Sequence, residues 1–170
     1  MIKKEHRLHP AWIAFGVTLF TLMASAGIRS APSVLLVPLE DSLGWSRATI
    51  SSAVGINILI YGLTSPFAAA LMERFSVRRV VMTALTVVGI GAFCTQYVNA
   101  PWQLIALWGF VVGAGTGSMA VVFAATIANR WFIAKKGFVI GILSAGQATG
   151  QLIFLPLLSS LAVNIGWKSV

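Results

Sequence analysis

The composition of this 170-residue chain excludes an ordinary water-soluble domain, because 58% of its residues are hydrophobic and only 9% are charged. A normal aqueous surface needs more charged residues, so we expect lipid to surround the chain. The formal net charge of +8 could suggest nucleic-acid binding. The cations form neither one basic face nor a nucleic-acid motif, which argues against that class. The single cysteine, Cys94, implies neither a disulfide nor a metal site.

Five apolar segments are each long enough to cross a bilayer, which takes about 20 residues of helix. In lipid only a helix or a closed barrel satisfies its own backbone, and the segments lack the alternation of barrel strands. The sequence therefore predicts an all-α, polytopic membrane protein, with helices over residues 11–39, 49–71, 80–98, 102–128 and 138–163. Residues 1–10 are expected to form a cytoplasmic N-terminus, and residues 164–170 an outer loop and the start of a sixth helix.

The distribution of lysine and arginine among the loops predicts the orientation of these helices. Nine of the 12 Lys and Arg residues lie in the N-terminal segment and in the loops after the second and fourth spans. The loops on the opposite side contain only Arg47 and Lys168. Because cytoplasmic loops are enriched in cations, this asymmetry places the N-terminus in the cytoplasm.

The first span contains an arginine, Arg29, at the end of a polar stripe formed by Thr18, Thr21 and Ser25 at helical spacing. A cation inside a span costs a few kcal/mol, so Arg29 is expected to face a water-filled cavity or a partner. The alternative is that Arg29 reaches the outer headgroups. The second and fifth spans carry further polar faces, comprising Asn57, Tyr61 and Ser65, and Ser144, Gln147 and Gln151. Interhelical hydrogen bonding alone could explain Asn57 or the glutamines.

Small and helix-breaking residues make two further predictions about the backbone. Gly27, Pro32 and Pro38 predict a kink or a break in the first span. Residues four apart in the fourth and fifth spans form two ridges of small side chains, namely Gly109, Gly113 and Gly117, and Gly137, Gly141, Ala145 and Thr149. Small residues let helices approach closely in lipid, so the two ridges are expected to face each other in a tightly packed hairpin.

The segment that opens the fifth span carries a specific resemblance. It has two aromatic residues, a basic pair and then a Gly-x-x-x-Ala-Gly-x-x-x-Gly pattern, at Trp131, Phe132, Lys135, Lys136, Gly141, Ala145, Gly146 and Gly150. This resembles the fifth-helix signature of the monocarboxylate transporter family, a branch of the major facilitator superfamily. The chain has Trp where Tyr is usual and lacks the Leu-Ala pair, which favours a bacterial relative in the cytoplasmic (inner) membrane. The helix-packing residues are then Gly109, Gly113, Gly117, Gly141, Gly146 and Gly150.

The loop after the second span resembles a second motif of the superfamily, Gly-x-Leu-x-Asp-Arg-x-Gly-x-Arg-Arg. Leu71, Arg74, Arg78 and Arg79 are retained, whereas Ala69 and Ser76 replace both glycines and Glu73 replaces the aspartate. The resemblance implies a conformational latch in which Glu73 pairs with Arg130, with Arg74 and Arg78 taking part. The alternative is that a charged loop at a membrane surface needs no latch.

The resemblance also implies a function. Helices one, two, four and five line the central cavity of such carriers, and Arg29 and the Tyr61-Gly62 pair resemble residues of the monocarboxylate branch. The implied substrate-binding residues are Arg29, Asn57, Tyr61 and Gln147. A guanidinium can bind a carboxylate through two hydrogen bonds, which suits a carrier of small organic anions, with monocarboxylates favoured. No cofactor is implied, and the chain would be part of an N-terminal half whose C-terminal partner half is missing.

Residues that the predicted spans lack argue against several classes of protein. The helix-four arginine of drug/proton antiporters would fall at Gly109, which argues against that subclass. No Asp or Glu lies inside a predicted span, so a proton-carrying carboxylate in this half is not expected. The spans show no carboxylate pair, metal cluster or activated nucleophile, which argues against an intramembrane enzyme. A truncated, non-transporting fragment or a small membrane partner or regulatory protein is the main alternative.

Overall fold

The structure, a computed structural model, describes the backbone of residues 10–132 and 135–165. These residues are helical apart from short connections and contain no strand. The elements are α1 (Pro10–Leu43), α2 (Arg47–Phe75), α3 (Val77–Thr95), α4 (Pro101–Leu104), a π-helical segment (Ile105–Val112), α5 (Gly113–Ser118), α6 (Val121–Trp131) and α7 (Lys136–Ile165). The predicted all-α fold is confirmed.

Five helical stretches are long and apolar enough to cross a membrane, as predicted: Ala11–Leu43, Arg47–Phe75, Val77–Thr95, Pro101–Trp131 and Lys136–Asn164. The fourth stretch, called here the fourth span, comprises α4, the π segment, α5 and α6. Helical structure continues beyond the apolar residues and takes in the charged residues Glu40, Glu73 and Arg130. The predicted N-terminal segment lies outside the described residues except for Pro10, and so does most of the predicted outer segment 164–170.

The first span is unbroken, so the predicted break is wrong. α1 continues for 34 residues with Pro32 and Pro38 inside it. A proline removes one backbone hydrogen bond, but a helix in lipid tolerates this loss when neighbouring helices and hydroxyl groups surround it. The break occurs instead in the fourth span, at Met119 and Ala120, where Ala120 is extended with ψ −169°. The preceding α5 has the sequence GAGTGS, and each glycine weakens a helix interior by about 1 kcal/mol relative to alanine.

The fourth span lies at the centre of the bundle. The π segment and α5 pack against both α2 and α3, while α6 packs mainly against α7. α1 runs along α7 and makes few contacts with α2. The side chains of Trp108, Val112, Thr116, Met119 and Phe123 are buried at this centre. The bundle therefore consists of a group around α2 and α3 and a group formed by α1, α6 and α7.

The glycines of the fourth span pack against α2, so the prediction that the two ridges face each other is wrong, although α6 does pack against α7. A Cβ atom placed on Gly113 would lie 3.1 Å from the carbonyl oxygen of Asn57, and one on Gly117 would lie 2.7 Å from that of Tyr61. Gly109 likewise faces Ile56 of α2. Spacing of four identifies a ridge of small residues, but the neighbour that it meets depends on how the whole bundle assembles.

Two glycines of α7 pack against α1, and neither belongs to the predicted ridge of Gly137, Gly141, Ala145 and Thr149. Gly146 faces the side chain of Leu19, and Gly150 faces the backbone of Met23. A Cβ atom placed on Gly137 or Gly141 meets no heavy atom of the described residues within 4 Å. The helix-packing role predicted for Gly141 is therefore not met within the described chain, since the packed face of α7 is the one that carries Gly146 and Gly150.

We predict that Gly150→Ala destabilises the protein and that Gly141→Ala, the matched control, does not. The new Cβ atom at Gly150 would lie 2.6 Å from the carbonyl oxygen and 2.7 Å from the Cα atom of Met23, and backbone atoms cannot move aside individually. Overpacking of this kind costs roughly 1–3 kcal/mol, whereas alanine at the open Gly141 site favours the helix. Thermal unfolding of both purified variants in detergent measures the difference, and equal midpoints would contradict the packing described here.

Candidate functional site

Three polar side chains from three helices meet inside the bundle: Arg29 of α1, Tyr61 of α2 and Gln147 of α7. The Cζ atom of Arg29 lies 4.3 Å from the centroid of the Tyr61 ring. The Nε2 atom of Gln147 donates a hydrogen bond of 3.1 Å to the Tyr61 hydroxyl, across 86 residues of sequence. We call this group the Arg29 cluster. It brings together three of the four predicted substrate-binding residues.

Close helix contacts set the position of each member of the Arg29 cluster. The backbone of Tyr61 lies directly against Gly117, which lets α2 approach α5 to a distance that a larger residue would forbid. Gly150, three residues after Gln147, lies against the backbone of Met23 in the same way, so α7 is held tightly to α1. Arg29 follows Met23 on α1. The glycines of α5 and α7 therefore help to fix the positions of the three side chains of the Arg29 cluster.

The charge of Arg29 is not neutralised by any carboxylate in the described part of the chain. Its side chain is half-buried, and no acidic group of the described residues lies within 4.0 Å of it. The ion pair that the described residues do form, between Glu40 and Arg47 at 2.8 Å, is at the junction of α1 and α2. Stacking on the Tyr61 ring stabilises the guanidinium by about 0.5–2 kcal/mol, but it leaves the positive charge and the N–H donors unpaired.

The hydroxyl groups that precede Arg29 do not share its environment. Thr18, Thr21 and Ser25 are all buried in the bundle. The Thr18 hydroxyl donates to the carbonyl of Ala14 at 2.7 Å, and that of Thr21 donates to the carbonyl of Val17 at 2.8 Å. The two threonine hydroxyls are thus satisfied by the backbone of their own helix.

Asn57, the fourth predicted ligand, lies apart from the Arg29 cluster. Its side chain is only 3% exposed, and its Nδ2 atom donates to the carbonyl oxygen of Trp108 at 2.6 Å. Asn57 is one turn from Tyr61 on the same face of α2, but its shorter side chain ends at the backbone of the π segment. Its geometry favours helix packing over ligand binding.

The predicted latch residues are all exposed, and the central pair is not formed. Glu73 and Arg130 make no ion pair within 4.0 Å, although both belong to the described residues. Arg74 instead lies with its Cζ atom 5.4 Å from the ring centroid of Phe75. An ion pair between two exposed side chains contributes only about 0–1 kcal/mol, so nothing compels Glu73 and Arg130 to meet.

The loop between α2 and α3 keeps a backbone conformation typical of glycine. Ser76, which stands at the second glycine position of the superfamily motif, has φ 94° and ψ 143°. It is the one positive-φ residue other than glycine within the described ranges. Conformations of this kind cost a side-chain-bearing residue about 1–3 kcal/mol. Ser76 therefore adopts a conformation that glycine would accept at lower cost.

An aromatic cluster that the sequence analysis did not identify joins the start of α1 to the end of the fourth span. The rings of Trp12 and Phe132 lie 5.8 Å apart, edge to face, and Phe15 is 6.5 Å from Phe132. Edge-to-face pairs add about 0.5–1.5 kcal/mol to the burial of each ring. The only sequence signal was the position of Trp12 and Phe132 at opposite ends of spans expected to meet the same membrane surface.

The described residues form five apolar helical stretches long enough to span a membrane, and three of these stretches contribute to the half-buried Arg29 cluster. These features define a multi-pass membrane protein with a candidate site between its helices. A sequence profile of the Major Facilitator Superfamily matches residues 17–170, and the chain belongs to this superfamily of transporters. The resemblance drawn from the sequence is thus confirmed for the superfamily.

Proteins similar in sequence to this chain include several carriers. The chain is 29% identical over 150 residues to the oxalate:formate antiporter of Oxalobacter formigenes, which covers 88% of this chain and 35% of that protein. It is 26% identical over 154 residues to monocarboxylate transporter 7 of Homo sapiens, covering 91% of this chain and 28% of the relative. An uncharacterized transporter of the superfamily from Bacillus subtilis is 24% identical over 156 residues, 90% of this chain and 38% of the relative. The chain spans about a third of the length of these relatives.

We predict that Asn57→Ala lowers the stability of the protein without weakening anion binding. Loss of the amide leaves the Trp108 carbonyl without this donor, and interhelical hydrogen bonds in membranes contribute about 0.6 kcal/mol on average, up to about 1.7. Ser65→Ala, two turns further along α2, serves as the control. Thermal unfolding in detergent and equilibrium binding of radiolabelled lactate test both variants. Weaker binding with unchanged unfolding would return Asn57 to the substrate site.

A second prediction concerns the turn between α2 and α3. Ser76→Gly should raise the unfolding midpoint, because glycine adopts φ 94° without steric strain and the relief exceeds the entropy lost from a more flexible unfolded chain. Ser51→Gly, in the regular part of α2, should lower the midpoint by the usual helix penalty. Two decreases of similar size would show that the Ser76 turn carries no strain.

Proposed function

We propose that this chain is the N-terminal part of an alternating-access transporter for small organic anions, with monocarboxylates as the favoured class. The observation that carries the proposal is the guanidinium of Arg29, which lies against the Tyr61 ring and has no carboxylate partner among residues 10–132 and 135–165. In such carriers the substrate site lies near the middle of the membrane, between two halves related by an axis along the membrane normal.

The chemistry of the Arg29 cluster suits a carboxylate. A guanidinium offers five N–H donors in one plane and can bind both carboxylate oxygens at once. The centroid of the Tyr61 ring lies 4.3 Å from the Cζ atom of Arg29, and an aromatic ring neutralises none of the guanidinium charge. No carboxylate among the described residues competes for those donors. An incoming anion would therefore supply the charge partner that Arg29 lacks.

The named relatives support the same class of substrate. The names of two of them refer to oxalate, formate and monocarboxylates, all of which are small carboxylates. The chain is similar to each over most of its own length but to only about a third of theirs. We extend the organic-anion class, and not any one substrate, to this chain.

We further propose that a C-terminal half completes the carrier. α2 and α7 expose large apolar side chains that lipid or protein must cover, including Ile58, Leu63, Phe67, Leu152 and Ile153. Carriers of this superfamily pair two similar halves, which would cover part of these faces. Reading the gene beyond the codon for Val170 tests this proposal. An immediate stop codon would contradict it and favour a small membrane partner or regulatory protein.

The charge of Arg29 makes the transport proposal directly testable. We predict that Arg29→Gln reduces saturable lactate uptake at least tenfold, because a hydrogen bond to a charged group contributes about 1.5–3 kcal/mol. Arg47→Gln makes the same change in charge at the exposed end of α2 and should leave uptake unchanged. Uptake is measured in proteoliposomes with protein expressed from its complete gene, and lactamide serves as the uncharged competitor. Normal uptake by Arg29→Gln would remove Arg29 from the site.

Orientation is the last element of the proposal: a bacterial cytoplasmic membrane with the N-terminus in the cytoplasm. In a Cys94→Ala background, we predict that a membrane-impermeant maleimide labels Asn99→Cys from outside intact cells and labels Glu73→Cys only after lysis. Both positions are exposed and lie at opposite ends of α3. The reverse labelling pattern would invert the proposed topology.

A further inference from the structure

We infer that Gln147 is a positioning residue that directs the Tyr61 hydroxyl toward the substrate, so that Tyr61 and Arg29 together form a two-donor carboxylate site. This inference rests on the proposed function and deepens it. It changes the role predicted for Gln147, from a direct ligand to a residue that acts through Tyr61.

The direction of one hydrogen bond carries the argument. A phenolic hydroxyl has one hydrogen to donate and lone pairs that accept. The Nε2 atom of Gln147 donates to the Tyr61 oxygen at 3.1 Å, and this bond occupies a lone pair. The hydrogen of the Tyr61 hydroxyl must then point elsewhere, and the described residues provide no hydrogen-bond acceptor for it. Gln147 thus leaves Tyr61 with a free donor and a fixed orientation.

The second donor is held beside the first. The Arg29 guanidinium stacks on the ring of the same tyrosine, with 4.3 Å between Cζ and the ring centroid. Stacking leaves the N–H groups at the edge of the guanidinium unoccupied, as no carboxylate of the described residues pairs with them. A bound carboxylate could accept from Arg29 through one oxygen and from Tyr61 through the other. Substrate recognition would then join α1 and α2.

The chemistry of position 147 explains why an amide suits this role. The Nε2 group of glutamine is a neutral donor, so it orients the tyrosine without adding a charge that attracts or repels the substrate. An ionised glutamate would be an acceptor only. It would take the tyrosine hydrogen for itself and repel an incoming anion. The amide and the acid have almost the same shape, so their comparison isolates the direction of the hydrogen bond.

A simpler role for Gln147 would be to tie α7 to α2. In that case Gln147→Leu and Tyr61→Phe would break the same tie, and both would lower the unfolding midpoint along with binding. A positioning role makes a different demand: binding weakens while the unfolding midpoint stays unchanged, and the effect of Gln147 vanishes once the hydroxyl that it orients is gone. A double-mutant cycle measures this coupling.

The cycle compares wild type, Tyr61→Phe, Gln147→Leu and the double variant, each expressed from the complete gene and reconstituted in nanodiscs. Equilibrium binding of radiolabelled lactate gives Kd, and thermal unfolding reports on folding. We expect Tyr61→Phe to weaken binding about tenfold and Gln147→Leu about fivefold, with the double variant no weaker than Tyr61→Phe alone. Gln147→Glu should weaken binding more than Gln147→Leu does. Thr149→Val, on the exposed side of α7, should bind normally.

Each other outcome has a definite meaning. Multiplicative losses in the double variant would overturn the inference, because Gln147 would then act independently of the Tyr61 hydroxyl. Tighter lactate binding by Gln147→Leu would overturn it as well, since the amide would be competing for the tyrosine hydrogen. Wild-type protein that binds none of lactate, formate and oxalate would defeat the proposed function itself, which separates that failure from a failure of the positioning role.

Discussion

The close approach of helix backbones at glycine is the constraint on which the rest of this bundle depends. In lipid, helices gain little from the hydrophobic effect between them, so association relies on van der Waals contact and a few interhelical hydrogen bonds. Gly113 and Gly117 bring the fourth span against α2, and Gly150 brings α7 against α1. Because Tyr61 and Gln147 belong to these contact regions, the polar cluster stands where the backbones have already been fixed. Close backbone contacts between the helices therefore fix the positions of the polar side chains.

The electrostatic character of the site comes from what surrounds one cation. At the end of α1, Glu40 and Arg47 compensate each other in a solvent-exposed pair. Arg29 lies inside the bundle, where charge is far more expensive, and its described neighbour is an aromatic face. The ring stabilises the guanidinium without cancelling its charge. A site with an uncancelled positive charge attracts anions and repels cations.

Helix number and fold class could be predicted from the sequence because both depend on properties that add along the chain. Span length and apolar content predicted five membrane-spanning helices, and the described residues form five helical stretches long and apolar enough to cross a membrane. Contacts between helices depend on rotation and on neighbours, and these were predicted less well. The ridge at Gly109, Gly113 and Gly117 was identified, but it meets α2 and not α7.

The candidate site shows the same limit at the level of single residues. Asn57 and Tyr61 share a face of α2, yet only the longer side chain reaches Arg29, because the amide of Asn57 is taken up by the Trp108 carbonyl. The pairing of Glu73 with Arg130 was expected from a motif, but exposed charges gain too little from meeting to define a geometry. Sequence patterns therefore identified polar helix faces, but they could not show which polar side chains meet in three dimensions.

The interruption at Met119 and Ala120 has a mechanical consequence. The part of the fourth span before it packs with α2 and α3, and the part after it packs mainly with α7 and less with α1 and α2. The interruption therefore lies where two sets of helices meet, one around α2 and α3 and one formed by α1, α6 and α7. The Arg29 cluster lies across this seam, because Arg29 and Gln147 belong to one set and Tyr61 to the other. A ligand bound to both Arg29 and Tyr61 would connect the two sets of helices. Movement of one set relative to the other would separate the ligand from one of its two donors. Ligand release and helix movement would then be coupled in one thermodynamic equilibrium.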